Sequence, residues 1–183
     1  MCIAEAEDHF ASCMRILLRS YPDRLSIGPK GGPSDQITFS VKGLIGASSK
    51  DSLLDNIIDQ RVDTVMRMKP SEYLQYLRKI LHSTINEESI KKFSEIAATR
   101  DLVIHTNGKI TPEYIAKSGK YARGKLGQTL AIDKSYFEQS IKAIDAVYGH
   151  IDAALLAQGQ KDSRITDEVI RLLRDNFFER FFS

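Results

Sequence analysis

Apolar residues recur at intervals of three and four along almost the whole chain. That single periodicity leaves little room for any architecture except packed α-helices. Ile3, Ala6, Phe10, Cys13, Leu17 and Tyr21 share one face and predict a helix from Ile3 to Ser20, ended by Tyr21-Pro22. Leu54, Ile57, Ile58, Val62, Val65 and Met66 predict a second, from Asp51 to Lys69-Pro70. Pro70 suits the first turn of the next helix, where Tyr73, Leu74, Leu77, Ile80 and Leu81 repeat the pattern. A further helix from Glu87 to His105 closes at Asn107-Gly108, a pair suited to a left-handed C-cap. Thr111-Pro112-Glu113 opens a short helix to Lys117. Asp133 caps the longest one, with the stripe Phe137, Ile141, Ile144, Tyr148, Ile151 and Leu155. A Gly-Gln-Lys-Asp-Ser turn, Gly159 to Ser163, leads into a last helix carrying Ile165, Val169, Leu172, Phe177 and Phe181.

The remainder reads as connection. GPKGGPSD, within a loop from Pro22 to Asp35, is too rich in glycine and proline for a helix or a central strand. It also lacks the Lys-Ser/Thr ending of a phosphate-binding loop. From Ile37 to Ile45 the reading stays open, because ITFSV alternates like a strand and KGLIGASS does not. GKYARGKLG, Gly119 to Gly127, is a basic loop, and Gln128 to Ile132 is briefly extended. The expectation is an all-α bundle of six or seven helices in one domain over 1–183. Residues 1–50 would supply a helix and the Gly/Pro-rich loop, and 51–183 the helical core.

Composition narrows the function. With 42% hydrophobic and 27% charged residues in 183, the chain has the balance of an ordinary globular protein. A net charge of +2 disfavours broad electrostatic coating of duplex DNA but leaves local contact with a short RNA open. Cys2 and Cys13 are too few for a disulfide scaffold and read as reduced residues of a cytoplasmic protein. No stretch reaches the roughly 18 apolar residues of a membrane span. Glu5, Glu7 and Asp8 stand where a signal peptide needs positive charge. His9, His82 and His150 lack ligand spacing with carboxylates or cysteines, so neither a metal site nor a cofactor is assigned.

The segment KKFSEIAATRDLVIHTNG carries the chemistry. At ~100° per residue, Phe93, Ile96, Ala97, Val103 and Ile104 fall in one arc with Arg100 in its middle. A guanidinium on an apolar face needs a carboxylate, carbonyls or a wet cleft awaiting an anion. Leu102 points the other way and implies a second packing surface. His105 lies in the last turn, where the negative end of the helix favours imidazolium and a histidine can both give and take a proton. RNA cleavage uses such groups: a base for the ribose 2′-hydroxyl, a cation for the phosphorane, an acid for the departing 5′-oxygen. Arginine suits the second task because its fork matches two phosphate oxygens. A spacing of five, however, sets Arg100 and His105 roughly 140° apart on an ideal helix. They meet at one phosphate if the last turn unwinds, if the arginine reaches round, or if a second chain supplies the complement.

R-D-L-V-I-H-T-N-G-K-I-T-P-E-Y-I, Arg100 to Ile115, resembles the core of the HEPN superfamily, whose members carry Arg-x4–6-His near a helix end. It is similar in particular to a bacterial branch with a pattern close to R-H-L-x-V-H-N-x-G-x-V-D-E-x-Y. The resemblance spans roughly Asp51 to Ile141, including G-Q-T-L-A-I-D-K-S-Y after the basic loop, and does not involve the first 50 residues. It implies a homodimer with Arg100 and His105 catalytic at the interface and metal-independent endoribonuclease activity on single-stranded RNA. It further implies a toxin or phage-defence setting, with an antitoxin or defence-system protein as partner. Asp101 and Asn107 would be supporting residues. Asp101 stands where histidine or asparagine is commoner, and Thr106 replaces the asparagine that follows the histidine.

Plainer readings stand beside these. Arg100 can be a structural ion pair with a carboxylate such as Glu95 or the partner's Asp101. His105 can cap the last carbonyls. Lys117, Lys120, Arg123 and Lys125 can grip RNA phosphates or form a solvated loop, and Tyr114 and Tyr121 can stack on a base or pack. FFERFF at the C-terminus is core or an oligomer contact. As a whole the chain would then be an inactive helical module that dimerises and binds a nucleotide, RNA or another protein.

Overall fold

The computed structural model describes residues 3–29, 46 and 48–182, the side chains of 163, 164 and 175–182 excepted. Seven α-helices lie among the described residues: α1 (Ile3–Ser20), α2 (Lys50–Met66), α3 (Pro70–Leu81), α4 (Glu87–Thr106), α5 (Pro112–Ser118), α6 (Lys134–Lys161) and α7 (Ser163–Phe182). Their starts follow local chemistry. Ser49, Asn86, Thr111 and Asp133 each accept a hydrogen bond from the amide three residues on, at 3.0, 2.8, 3.3 and 2.7 Å. Each satisfies a donor that the first turn leaves without an intrahelical partner. At the α3 start, Pro70 sits at N1 and Glu72 accepts from the Lys69 amide at 3.1 Å.

The bundle is assembled around α1, which packs against α2, α3, α6 and α7. Phe10 is at its centre, with the rings of Tyr73, Phe93 and Tyr148 at 6.5, 5.6 and 5.5 Å between centroids. His9 stacks on Tyr148 at 4.4 Å and places Nε2 2.7 Å from Asp152 Oδ1 on α6. Cys13 is buried beside it, and desolvation, then the charge of Asp152, pushes its thiol pKa up. All-α architecture and the expected helix starts are therefore present, and no described helix is long and apolar enough to cross a membrane.

Three local expectations are corrected. Phe137 heads the stripe expected of α6, yet it is 60% exposed, and the buried apolar residues of the helix begin with Ile144 and Val147. The Gly159–Ser163 turn is reduced to Asp162: α6 stays helical through Lys161, since Gly-Gln-Lys contains nothing that forbids a helix. Asp162 breaks it with extended dihedrals, φ −144° and ψ 109°. Third, Val103 and Ile104 are exposed, Ile104 by 62%, although the helical wheel placed them with the core. Leu102 is buried in a second cluster with Ala98, Ile110, Tyr114 and Leu130. The apolar stripe of α4 thus rotates partway along the helix, from the main core at Phe93 to this satellite. The open stretch Ile37–Ile45, most of GPKGGPSD and the side chains of FFERFF lie outside the described residues.

Lys109 and Thr129 form an isolated antiparallel bridge within the stretch expected to be briefly extended, a pairing that the sequence did not indicate. The Ile110 amide donates to Gln128 O at 2.8 Å and the Leu130 amide to Gly108 O at 2.9 Å. Within the loop, Gly124 holds φ +107°, and a Cβ there would lie 2.8 Å from Ile110 Cδ1 and 3.3 Å from Gln128 Oε1. Gly124→Ala should cost about 1–2 kcal/mol for the left-handed backbone alone. Thermal unfolding should show a midpoint lower by several degrees; an unchanged midpoint would mean that the loop adopts another path at no cost.

Candidate functional site

The site is built on the last two turns of α4. Its C-terminus is closed as the sequence predicts: Asn107 is left-handed at φ 52°, and the Asn107 and Gly108 amides both return to the Leu102 carbonyl. Thr106 Oγ1 donates within reach of the Leu102 and Lys109 carbonyls, at 2.7 and 3.0 Å. The cap therefore does not use His105, whose ring is exposed and makes no hydrogen bond among the described residues. Asn107 contributes through its backbone.

Arg100 faces α1. Its Nη2 donates to Glu7 Oε2 at 3.1 Å, and Glu7 Oε1 accepts from the Tyr73 hydroxyl at 3.2 Å. Burial, then the neighbouring Glu7 carboxylate, raises the Tyr73 pKa, so the phenol stays a donor. Asp101 Oδ1 lies 3.4 Å from Arg100 Nε but off its N–H axis, and that buried N–H has no acceptor among the described residues. The other oxygen of Asp101 accepts from Lys117 Nζ at 3.0 Å. Carboxylates and cations thus run in a row, Glu7, Arg100, Asp101, Lys117, across α1, α4 and α5. The Arg100 side chain remains 40% exposed. Its partners are Glu7 and its own Asp101, so Arg100 is ion-paired within the chain, but not to Glu95, which Arg123 holds.

His105 turns toward α5 instead. There a groove of about 380 Å³ lies between α4 and α5, with Ala98, Leu102 and Tyr114 on its floor. Asp101, His105, Glu113 and Lys117 stand at its rim, and Arg100 does not line it. Since α4 remains helical through Thr106, the last turn does not unwind, and one chain does not bring Arg100 and His105 to a common groove.

The basic loop is tied to α4 by a residue that sequence reasoning underrated. Glu95, with a side chain 7% exposed, accepts from Thr99 at 2.7 Å, Tyr114 at 2.8 Å and Arg123 Nε at 3.1 Å on one oxygen. Its other oxygen accepts from Tyr136 at 3.0 Å. Arg123 also donates to Ala131 O at 3.0 Å and lies 3.3 Å above the Tyr136 ring. Burial raises the pKa of both Tyr114 and Tyr136, which keeps their hydroxyls protonated as donors. Arg123 is therefore committed within the chain, and so is Tyr114, which packs rather than offering a stacking face. Lys120 lies 5.0 Å over Tyr121, and Lys125 is exposed. Glu95 lies opposite the apolar arc, on the same side of the helix as Leu102, so the second packing surface that Leu102 implied was the signal available for it.

Val103 and Ile104 project from α4 beside this site, apolar and exposed among the described residues. Compared with models of protein families, with curated proteins and with solved structures, the chain gives no match.

Proposed function

We propose that this chain is a metal-independent endoribonuclease acting on single-stranded RNA, with Arg100 and His105 paired across a homodimer of HEPN type. The observation that carries the reading is a half-exposed arginine and an uncommitted histidine on the final turns of one helix, beside exposed Val103 and Ile104. A twofold contact through this end of α4 covers the two apolar side chains and sets Arg100 of one protomer toward the partner's His105. His105 then exchanges protons with the ribose 2′-hydroxyl and the 5′-oxygen, and Arg100 balances charge on the phosphorane. Asp101 orients Arg100, and Lys117, Lys120 and Lys125 offer phosphate contacts. A toxin or phage-defence role, restrained by an antitoxin or defence-system protein, fits an activity that a cell must hold in check.

Single-stranded RNAs incubated with the protein in EDTA should be cut, leaving a 2′,3′-cyclic phosphate and a 5′-hydroxyl. If varied RNAs stay intact, a binding module replaces the enzyme, a reading favoured by the two carboxylates that already neutralise Arg100. Sedimentation at tens of micromolar should report a dimer, and Ile104→Glu should shift it toward monomer. A wild-type monomer would remove the shared site.

A further inference from the structure

The α4–α5 groove beside His105 has a composition that a phosphate-binding surface would not have. Its rim carries two carboxylates, Asp101 and Glu113, against one ammonium, Lys117. Those three charges sum to −1, so the rim as a whole does not select a phosphate dianion. The floor of Ala98, Leu102 and Tyr114 is apolar, and the volume of about 380 Å³ falls near the lower end of the ~300–1,000 Å³ of small-molecule pockets. A flat, neutral, partly apolar ligand suits it.

The polar atoms say more about that ligand. Glu113 is held below the usual carboxylate range by its own backbone amide and then by the Thr111 hydroxyl, so it is an acceptor at neutral pH. Asp101 accepts from Lys117 on one oxygen and approaches Arg100 with the other, which fixes the carboxylate in place. Thr106 directs its hydroxyl at backbone carbonyls. Acceptors therefore outnumber free donors at this rim. Aminated nucleobases offer the complementary edge, because carboxylates accept from the exocyclic amino group of cytosine, whereas uracil presents a carbonyl there.

We propose that this groove is a nucleobase subsite that selects bases carrying an exocyclic amino group, next to the phosphate handled by His105 and Arg100. It rests on the ribonuclease reading for its place in the reaction, but not for its binding chemistry. The base lies on the apolar floor with its amino group toward Glu113 and Asp101. Lys117 and His105 face the sugar-phosphate side.

Cytidine and uridine 3′-monophosphates, titrated into the full-length protein by NMR, provide the test. Cytidine 3′-monophosphate should move the resonances of Ala98, Glu113 and Lys117. It should bind at least about fivefold more tightly than the uridine nucleotide, the lower end for one good base contact. Glu113→Ala should bring that ratio toward one, because the acceptor that distinguishes the two bases is gone. Equal affinities in wild type, or shifts confined to other surfaces, would overturn the subsite. RNA cleavage without preference for aminated bases would also overturn it while leaving the ribonuclease intact. Selective nucleotide binding with no cleavage of any RNA would uphold the subsite and remove the enzyme.

Discussion

Replacing Glu95 with alanine should be among the most destabilising single changes in the chain, lowering stability by about 3–5 kcal/mol. That is the usual cost of breaking a buried ion pair by removing one partner. Three hydroxyls and a guanidinium converge on this carboxylate from α4, α5, α6 and the loop after α5. Alanine leaves Arg123 without its anion and three donors without an acceptor, so the penalty is mainly the uncompensated desolvation of those groups. For a chain of this size the thermal midpoint should fall by roughly 6–20 °C. Glu95→Gln retains a carbonyl acceptor and should cost less, about 1–3 kcal/mol. A midpoint within two degrees of wild type for Glu95→Ala would mean that the network is solvated and contributes little.

His105→Ala should slow RNA cleavage by at least ~10²-fold, the effect of losing a general acid or base. Arg100→Ala should do comparable damage, ~10²–10³-fold, because a preorganised cation is lost from the developing phosphorane charge. The two differ in their second readout. His105 takes no part in the helix cap or in any hydrogen bond among the described residues, so its removal should leave the melting curve in place. Arg100 is the partner of Glu7, and its removal should cost measurable stability as well. Arg100→Lys should restore part of the stability and little of the rate, since an ammonium does not reproduce the bidentate fork. Single-turnover cleavage assays and thermal melts on the same preparations separate these outcomes. Variants that cut RNA as fast as wild type would dismiss the pair as catalytic.

Much of the fold was legible because helix boundaries are written locally. Asn86, Asp133 and Thr111 sit at their helix starts and Asn107-Gly108 at the end of α4, each within a few residues of the backbone groups it satisfies. Side-chain direction was less legible. A helical wheel averages over the whole of α4, whereas the helix serves two apolar clusters in succession. Leu102 signalled the second cluster, but Val103 and Ile104 were wrongly given to the first. Partners distant in sequence were not legible at all. Arg123 meets Glu95 from 28 residues away and Arg100 meets Glu7 from 93. Either arginine read alone looks like a cation available to RNA.

The way α4 ends has a consequence for how such a chain can change over generations. Thr106 and the Asn107 and Gly108 amides manage the helix terminus between them, and position 105 has no architectural duty. Substitutions there that keep the helix meet no resistance from the cap, and what the imidazole does is what they put at stake. A lineage could therefore abandon the chemistry in one step while keeping the scaffold, and recover it as cheaply. Under the proposed ribonuclease reading, the residue at that position in any sibling of this chain would report on selection for activity more than on selection for the helix cap.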